Sequence, residues 1–262
     1  MQKIWNLEDI PRRWDLTTLK QIYKKGPKNC LQSYRYVHIK EWMLCLFDGL
    51  VFNKIRPKLI ENMTKFQIGT KPGHRPQEHI FVLNSVLDLN KKKNSSLIIQ
   101  TFDISQYFDK HVLKDAGQCL ADAKVDGKCY RLFHKLNSNT VVQVKTPVGM
   151  TGMAETGENM AQGSKSAGMV CATSLSQGVD KYYEDSKHEI EYGDIKLSAM
   201  QYQDDALRMT ASVEGAIDGS RRFEMMMKPR RLQVNISKSA YFLSGRKNVD
   251  KIREEIKTNP IL

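Results

Sequence analysis

Two aspartates stand side by side in Ala199-Met200-Gln201-Tyr202-Gln203-Asp204-Asp205-Ala206-Leu207-Arg208-Met209. The apolar residues on both sides predict two short strands with Gln203-Asp204-Asp205 at or near the turn, which carries the carboxylates to a hairpin tip. Carboxylate oxygens are ligands for hard cations such as Mg2+. Nucleotidyl transfer uses two such ions about 3.5–4 Å apart, one on the attacking and one on the leaving oxygen. An isolated Asp-Asp is more often a solvated turn, so the chemistry needs a third acid on another strand. Ser96-Leu97-Ile98-Ile99-Gln100-Thr101-Phe102 is a β-rich apolar run that ends in Asp103. An acid there is costly unless it is paired or bound to metal. The competing reading of Asp103 is a helix cap or a turn acid.

The elements that must position these acids follow from periodicity. Leu19 to Tyr23 and Tyr34 to Ile39 read as a strand and its return, with Lys24, Lys25 and Arg35 clustered around a Gly-Pro turn. A cationic clamp on a triphosphate and a solvated basic hairpin both fit that cluster. Lys40 to Met63 has apolar residues at helical spacing, predicting a long core helix with Pro57 as a kink. Gln67 to Pro76 is a loop of turn residues, Gln77 to Leu89 a helix, and Asn90 to Asn94, with three lysines, a solvated turn. Helices are expected over His111–Ala123, Cys129–Leu136, Ser164–Tyr183 and Val213–Met227, and a strand over Val141–Lys145.

Four ordered pieces of the chain resemble the reverse transcriptases of non-LTR (LINE-type) retrotransposons. Phe102-Asp103-Ile104-Ser105-Gln106-Tyr107-Phe108-Asp109 is similar to the first palm motif and Tyr202-Gln203-Asp204-Asp205 to the Tyr-x-Asp-Asp box. Between them Asn159-Met160-Ala161-Gln162-Gly163-Ser164 resembles the Gln-Gly motif, and Ile22 to Arg35 the fingers signature. The resemblance implies an α+β fold of right-hand polymerase type, with fingers over residues 1–95 and palm over 96–262, a fingers-like insertion around 125–160, and an antiparallel palm sheet packed on helices.

The same resemblance implies an RNA-directed DNA polymerase. Asp103, Asp204 and Asp205 would hold two Mg2+ ions, with Mn2+ as the alternative, and the Ile104 carbonyl would join the metal shell. Lys24, Lys25, Arg35, Phe108, Gln162 and Gly163 would contact the deoxynucleoside triphosphate, Phe108 excluding a 2′-hydroxyl and Gly163 letting the backbone approach the template or base pair. Leu232 to Ser239 resembles the next palm element, with Lys238 as general acid to the pyrophosphate. Three departures stand out: Tyr-Gln replaces the common Phe-Ala before Asp204-Asp205, Ser164-Lys165-Ser166-Ala167 replaces a Cys/Val-Pro-Ser run, and no thumb is legible beyond the palm.

Composition agrees with polyanionic partners, here an RNA template and a DNA primer. Forty-one Lys and Arg against 29 Asp and Glu give a net charge of +12, and such binding weakens with salt as counterions are released. Five scattered cysteines without a Cys-x-x-Cys pair argue against a zinc site and for a reducing compartment, cytoplasmic or nuclear. His74 and His79 read as a loop residue and a helix-face residue. No apolar run is long enough to span a bilayer. The alternative function is a retrotransposon-derived nucleic-acid-binding remnant that keeps the fold without processive synthesis. An enzyme using ribonucleotides is disfavoured by Phe108.

Overall fold

A computed structural model describes residues 1–138, 140–156, 160, 163–183, 190–192, 195–245 and 249–258. In chain order the regular elements are α1 (Gln2–Leu7), β1 (Leu16–Tyr23), β2 (Tyr34–Ile39), α2 (Trp42–Asn62), α3 (Pro76–Lys93), β3 (Leu97–Phe102) and α4 (Tyr107–Lys110). There follow α5 (Leu113–Asp122), α6 (Gly127–Asn137), β4 (Val141–Thr146), β5 (Gly149–Met150), β6 (Ala154–Glu155) and α7 (Ala167–Tyr183). The last are β7 (Ile190–Tyr192), β8 (Ile195–Leu197), β9 (Ala199–Tyr202), β10 (Asp205–Thr210), α8 (Val213–Met227), β11 (Ala240–Ser244) and α9 (Val249–Thr258). The fold is α+β, with antiparallel sheet packed on helices.

Two compact units share the chain: Met1–Asn62 with Phe108–Cys171, and Met63–Tyr107 with Ala172–Leu262. Their boundaries differ from the division at 95/96 read from the resemblance, because each unit is assembled from two separated stretches of sequence.

The second unit is built on an antiparallel sheet of order β11-β3-β10-β9. β3 lies inside this sheet and is apolar on both faces, the pattern of a fully covered strand. Leu97 and Ile99 pack with Val86 of α3, Met200 and Met209, while Ile98 packs with Val213, Ala216, Ile252 and Ile256 of α8 and α9. Gln100 is buried, its Nε2 donating to the Ala216 carbonyl (3.1 Å) and to Ser220 Oγ (2.9 Å) while its Oε1 has no hydrogen-bond partner among the described residues. Phe102 stacks on Phe223 with ring centroids 4.5 Å apart. By the two-residue period of a strand, Asp103 leaves the sheet on the Leu97/Ile99 face, the face that α3 covers.

In the first unit a sheet of order β2-β1-β4-β5, with β6 also on β4, carries the antiparallel hairpin β1/β2. β4 joins β1 in parallel, Leu16 opposite Val141, a pairing across more than a hundred residues that local pattern does not reveal. α2 buries Leu44, Phe47, Val51, Ile55 and Leu59, with Trp14 against Phe47 at 6.1 Å. Pro57 stands inside this helix. The expectation that all of its apolar residues are core is corrected: Trp42, Leu46 and Leu50, four apart and therefore on one face, are exposed.

Three further expectations are corrected. Asn90 to Asn94 is not a turn but the last turn of α3, which runs to Lys93 and is closed by Asn94 at φ 49°. Three lysines suit the negative end of a helix, and asparagine tolerates the left-handed cap. Asn90 is buried, where its Oδ1 accepts a hydrogen bond from Ser95 Oγ (2.7 Å). Leu232 to Ser239 contributes one isolated bridge, Val234 to Ile104, and a turn, and the strand itself comes later, at Ala240–Ser244. α7 starts at Ala167, three residues later than the periodicity suggested, because Ser164 and Ser166 are engaged elsewhere. Among the described residues no helix is long and apolar enough to cross a membrane.

Candidate active site

Asp103 lies one residue past the end of β3 and is tied down from three directions. Its N–H donates to Ser239 Oγ (3.1 Å), its carbonyl accepts from the Asn235 N–H (2.8 Å), and its Oδ2 accepts from Lys238 Nζ (2.9 Å). The segment that supplies these groups is itself closed by Lys238 and Ser239 N–H bonds to the Asn235 carbonyl. Ile104 is buried beside it in the bridge to Val234, and Ser105 N–H donates to the Gln233 carbonyl at 2.8 Å. Asp103 is therefore neither a helix cap nor a loose turn acid.

β9 and β10 form the predicted hairpin, Tyr202 opposite Asp205, with Gln203 and Asp204 as a two-residue turn. The next β10 residue, Ala206, pairs with Phe102 of β3. Register thus brings the β10 end that carries Asp205 beside the β3 end that carries Asp103. The Asp205 carboxyl is exposed, yet its pKa is raised above the usual carboxylate value, first by partial loss of hydration and then by repulsion from Asp204 and Asp103, with Lys238 opposing. The repulsion at Asp205 agrees with the strand register that brings the acids to one end of the sheet.

A cleft of about 410 Å³ opens on this face. α3 contributes His79, Ile80 and Leu83 to its wall, opposite Asp103, Asp205 and Lys238. Burial lowers the His79 pKa below the usual imidazole value. His74 belongs to a different arrangement, with Nδ1 2.7 Å from Glu78 Oε2 at the start of α3.

The turn is held by residues that sequence reasoning passed over. Gln67, fully buried in what was read as a plain loop, accepts the N–H of Gln203 on its Oε1 (2.8 Å) and donates from Nε2 to the Gln203 carbonyl (2.9 Å). The same Oε1 accepts the Gly69 N–H at 2.9 Å. A Cβ on Gly69 would collide with the Gln203 backbone nitrogen, so only glycine fits there. The sole sequence hint was an uncharged amide two residues before a glycine.

The remaining expected site residues belong to the first unit. Lys24, Lys25 and Arg35 are exposed around the β1/β2 connection, where Lys24 N–H donates to the Ser33 carbonyl (2.8 Å) and Arg35 pairs with Ile22. Phe108, in α4, is partly exposed, whereas its neighbour Tyr107 is buried. Gln162 lies outside the described residues. Gly163 has φ 119°, and a Cβ there would stand 2.8 Å from the His38 carbonyl oxygen. The need for glycine at 163 therefore comes from close approach to this protein's own β2. After it, Ser164 Oγ, Lys165 N–H and Ser166 Oγ all donate to the buried Asp48 carboxylate at 2.8–2.9 Å, which fixes the Ser-Lys-Ser departure to α2.

Three carboxylates are the donor set of a hard divalent cation, and the ammonium drawn to Asp103 shows that this corner attracts positive charge. Among the described residues no group of three or more His, Cys, Asp or Glu side chains is gathered tightly enough to hold one ion. Lys238 occupies Asp103 instead. The residues fit a divalent ion in chemistry, with Lys238 as the group it must displace.

The reverse transcriptase (RNA-dependent DNA polymerase) family profile matches residues 22–258. No curated protein matches the chain. Among solved structures, apo telomerase from Candida tropicalis truncated from its C-terminal domain superposes with a TM-score of 0.67 at 13% identity, covering 92% of this chain and 52% of that one. Telomerase from Candida tropicalis in complex with a TWJ fragment of telomeric RNA gives 0.64 at 12% identity, covering 92% and 44%. The Candida albicans telomerase with its TWJ fragment gives 0.57 at 12% identity, covering 89% and 43%. The chain thus spans about half the length of the structures it matches, and at this identity they speak for the fold alone. With two adjacent acids on a hairpin, a third at the neighbouring strand end and a family match over most of its length, the chain belongs to the reverse transcriptase family.

Proposed function

We propose that this chain is the catalytic core of an RNA-directed DNA polymerase of non-LTR retrotransposon type, adding deoxynucleotides to the 3′-hydroxyl of a DNA primer on an RNA template. The observation that carries the reading is the register that brings the Asp103 and Asp205 strand ends together, with repulsion among Asp103, Asp204 and Asp205 felt at Asp205. Two Mg2+ ions, or Mn2+ in their place, would be held by these three carboxylates and the Ile104 carbonyl, and when bound would activate the primer hydroxyl and neutralise charge on the phosphoryl oxygens.

The chain's own groups supply the rest. Lys238, bonded to Asp103, would deliver a proton from Nζ to the leaving pyrophosphate once its partner is otherwise engaged. The segment 235–239 keeps Asp103 oriented through backbone bonds that do not depend on that ion pair. Lys24, Lys25 and Arg35 would bind triphosphate, and the Lys24–Ser33 bond, which continues the β1–β2 pairing, favours Lys24 as the lysine beside Arg35. Partly exposed Phe108 would exclude a 2′-hydroxyl, and Gln162 and Gly163 would contribute to the nucleotide site. The working compartment would be cytoplasm, where template RNA is met, or nucleus, where a target is.

Extension of a DNA primer on an RNA template with Mg2+ tests this, comparing the parent chain with Asp204→Asn, Asp205→Asn. Extension by the parent and not by the double variant supports the polymerase. The competing reading, a nucleic-acid-binding remnant, draws on Lys238 occupying Asp103 and on the lack of a tight acidic cluster among the described residues. Primer-template binding with no extension by either protein would favour it.

A further inference from the structure

We infer that Gln67 is a positioning residue for the acidic turn: its carboxamide fixes the peptide of Gln203 and through it the direction in which Asp204 and Asp205 are presented. The inference rests on the polymerase reading for its catalytic consequence, while the conformational part stands on this unit's geometry.

Gln203 has φ 57°, in the left-handed region, at the first central position of a two-residue hairpin turn. Glycine is the usual occupant of such a position, and any other residue there needs its surroundings to hold it. Gln67 supplies that hold. Its carboxamide pairs with both polar groups of one residue, N–H to Oε1 at 2.8 Å and carbonyl to Nε2 at 2.9 Å, as one strand pairs with another. The pairing distinguishes the two faces of the peptide, since a flipped peptide would set donor against donor. Gln201 Nε2 adds a second donor to the same carbonyl at 3.2 Å.

Gln67 is in turn fixed by its own backbone neighbours. Gln201 N–H donates to the Phe66 carbonyl (2.9 Å) and Ile68 N–H to the Gln201 carbonyl (3.1 Å), so residues 66–68 run as a short parallel ladder beside β9. Gly69 closes the arrangement by donating to Gln67 Oε1 and leaving no side chain in the way. A fully buried carboxamide satisfied by three backbone groups has no freedom to swing. The turn that carries the acids is therefore held from outside its own hairpin, and a change at position 67, remote from any reacting atom, must appear in the acids' behaviour.

The test uses the full 262-residue chain and three variants: Gln67→Ala, Gln67→Glu and Gln67→Ala combined with Gln203→Gly. Two readouts are taken: exchange of the Gln203 amide proton and binding of Mn2+ followed by water-proton relaxation, alongside kcat and the Mg2+ midpoint of primer extension. Gln67→Ala should speed Gln203 amide exchange at least 10-fold, weaken Mn2+ binding about 10- to 100-fold and lower kcat by a similar factor, with primer-template affinity unchanged. Gln67→Glu keeps both accepted bonds but sets a carboxylate oxygen against the Gln203 carbonyl, so its exchange should fall between the parent and Gln67→Ala. Adding Gln203→Gly, which suits the left-handed turn unaided, should restore Mn2+ binding to Gln67→Ala. If exchange and Mn2+ binding in Gln67→Ala stay at parental values, the positioning role is overturned. A parent chain that binds Mn2+ and protects Gln203 but extends no primer would sink the polymerase reading and leave the clamp upheld.

Discussion

The acidic turn between β9 and β10 and the basic connection between β1 and β2 are both hairpin tips, but they are held in opposite ways. Around the acidic site, groups from distant sequence grip the backbone: the buried Gln67 side chain on Gln203, and Ser239 Oγ and the Asn235 N–H on Asp103. Around the basic connection, two tyrosines of the hairpin itself hold the turn. Tyr23 Oη donates to the Gly26 carbonyl (2.7 Å) and Tyr34 Oη to the Lys28 carbonyl (2.8 Å), while Lys24, Lys25 and Arg35 stay exposed. Acids that must present fixed oxygens to a small, hard ion gain from rigid support. Cations that meet a flexible triphosphate gain from reach and do not need it.

This contrast can be broken most directly at the acids. Asp205→Asn should cut primer extension on the order of 1,000-fold, the scale seen when a preorganised electrostatic group is lost, with primer-template binding retained. If extension falls by less than 10-fold, Asp205 is not part of the chemistry. Arg35→Ala should act differently, raising KM for deoxynucleotides about 10-fold through loss of a charged fork while kcat holds within a factor of two. A fall in kcat with KM unchanged would place Arg35 on the rigid side of the comparison. Lys24→Ala should raise KM more than Lys25→Ala, by a few-fold, if strand alternation decides which lysine meets phosphate.

The smallest effect is thermodynamic. The folded Asp205 pKa lies above its unfolded value, so between the two the folded state binds more protons, and stability falls as pH rises through that window. Above the window the ionised group carries a constant penalty, modest because the side chain is exposed. Without metal at pH 7, Asp205→Asn should therefore melt on the order of 1 °C above the parent, although the variant is inactive. A lower melting temperature would mean that Asp205 makes favourable contacts outweighing the repulsion.

The acids, the hairpin and both flanking strands were legible because each is a local pattern: apolar alternation broken by carboxylates. α8 was legible to its end residues, Val213 and Met227, because Ser212 caps it, its Oγ accepting the Gly215 N–H at 3.1 Å, and Lys228-Pro229 follows it. What the sequence hid were pairings between distant stretches. Nothing in Leu16 to Lys20 announces a parallel partner at Val141 to Lys145. Gln67 looked like any polar loop residue, since its value lies in a bond to position 203. The close approach of Gly163 to the His38 carbonyl is equally invisible in the sequence, because it joins residues 125 positions apart. The bond between Lys238 and Asp103 is likewise hidden in the sequence, since it depends on β11 returning residues 235–239 to the end of β3.

The grip of Gln67 on a peptide group and not on a side chain has a consequence for sequence drift. Neither hydrogen bond to position 203 uses the glutamine side chain there, so the residue between Tyr202 and Asp204 is free to change in size and polarity. The limit is backbone shape: Val, Ile and Thr resist a positive φ. Random replacement at position 203, selected for folded protein, should return glycine, asparagine and unbranched residues and few β-branched ones, a tolerance written by hydrogen bonds that ignore the side chain.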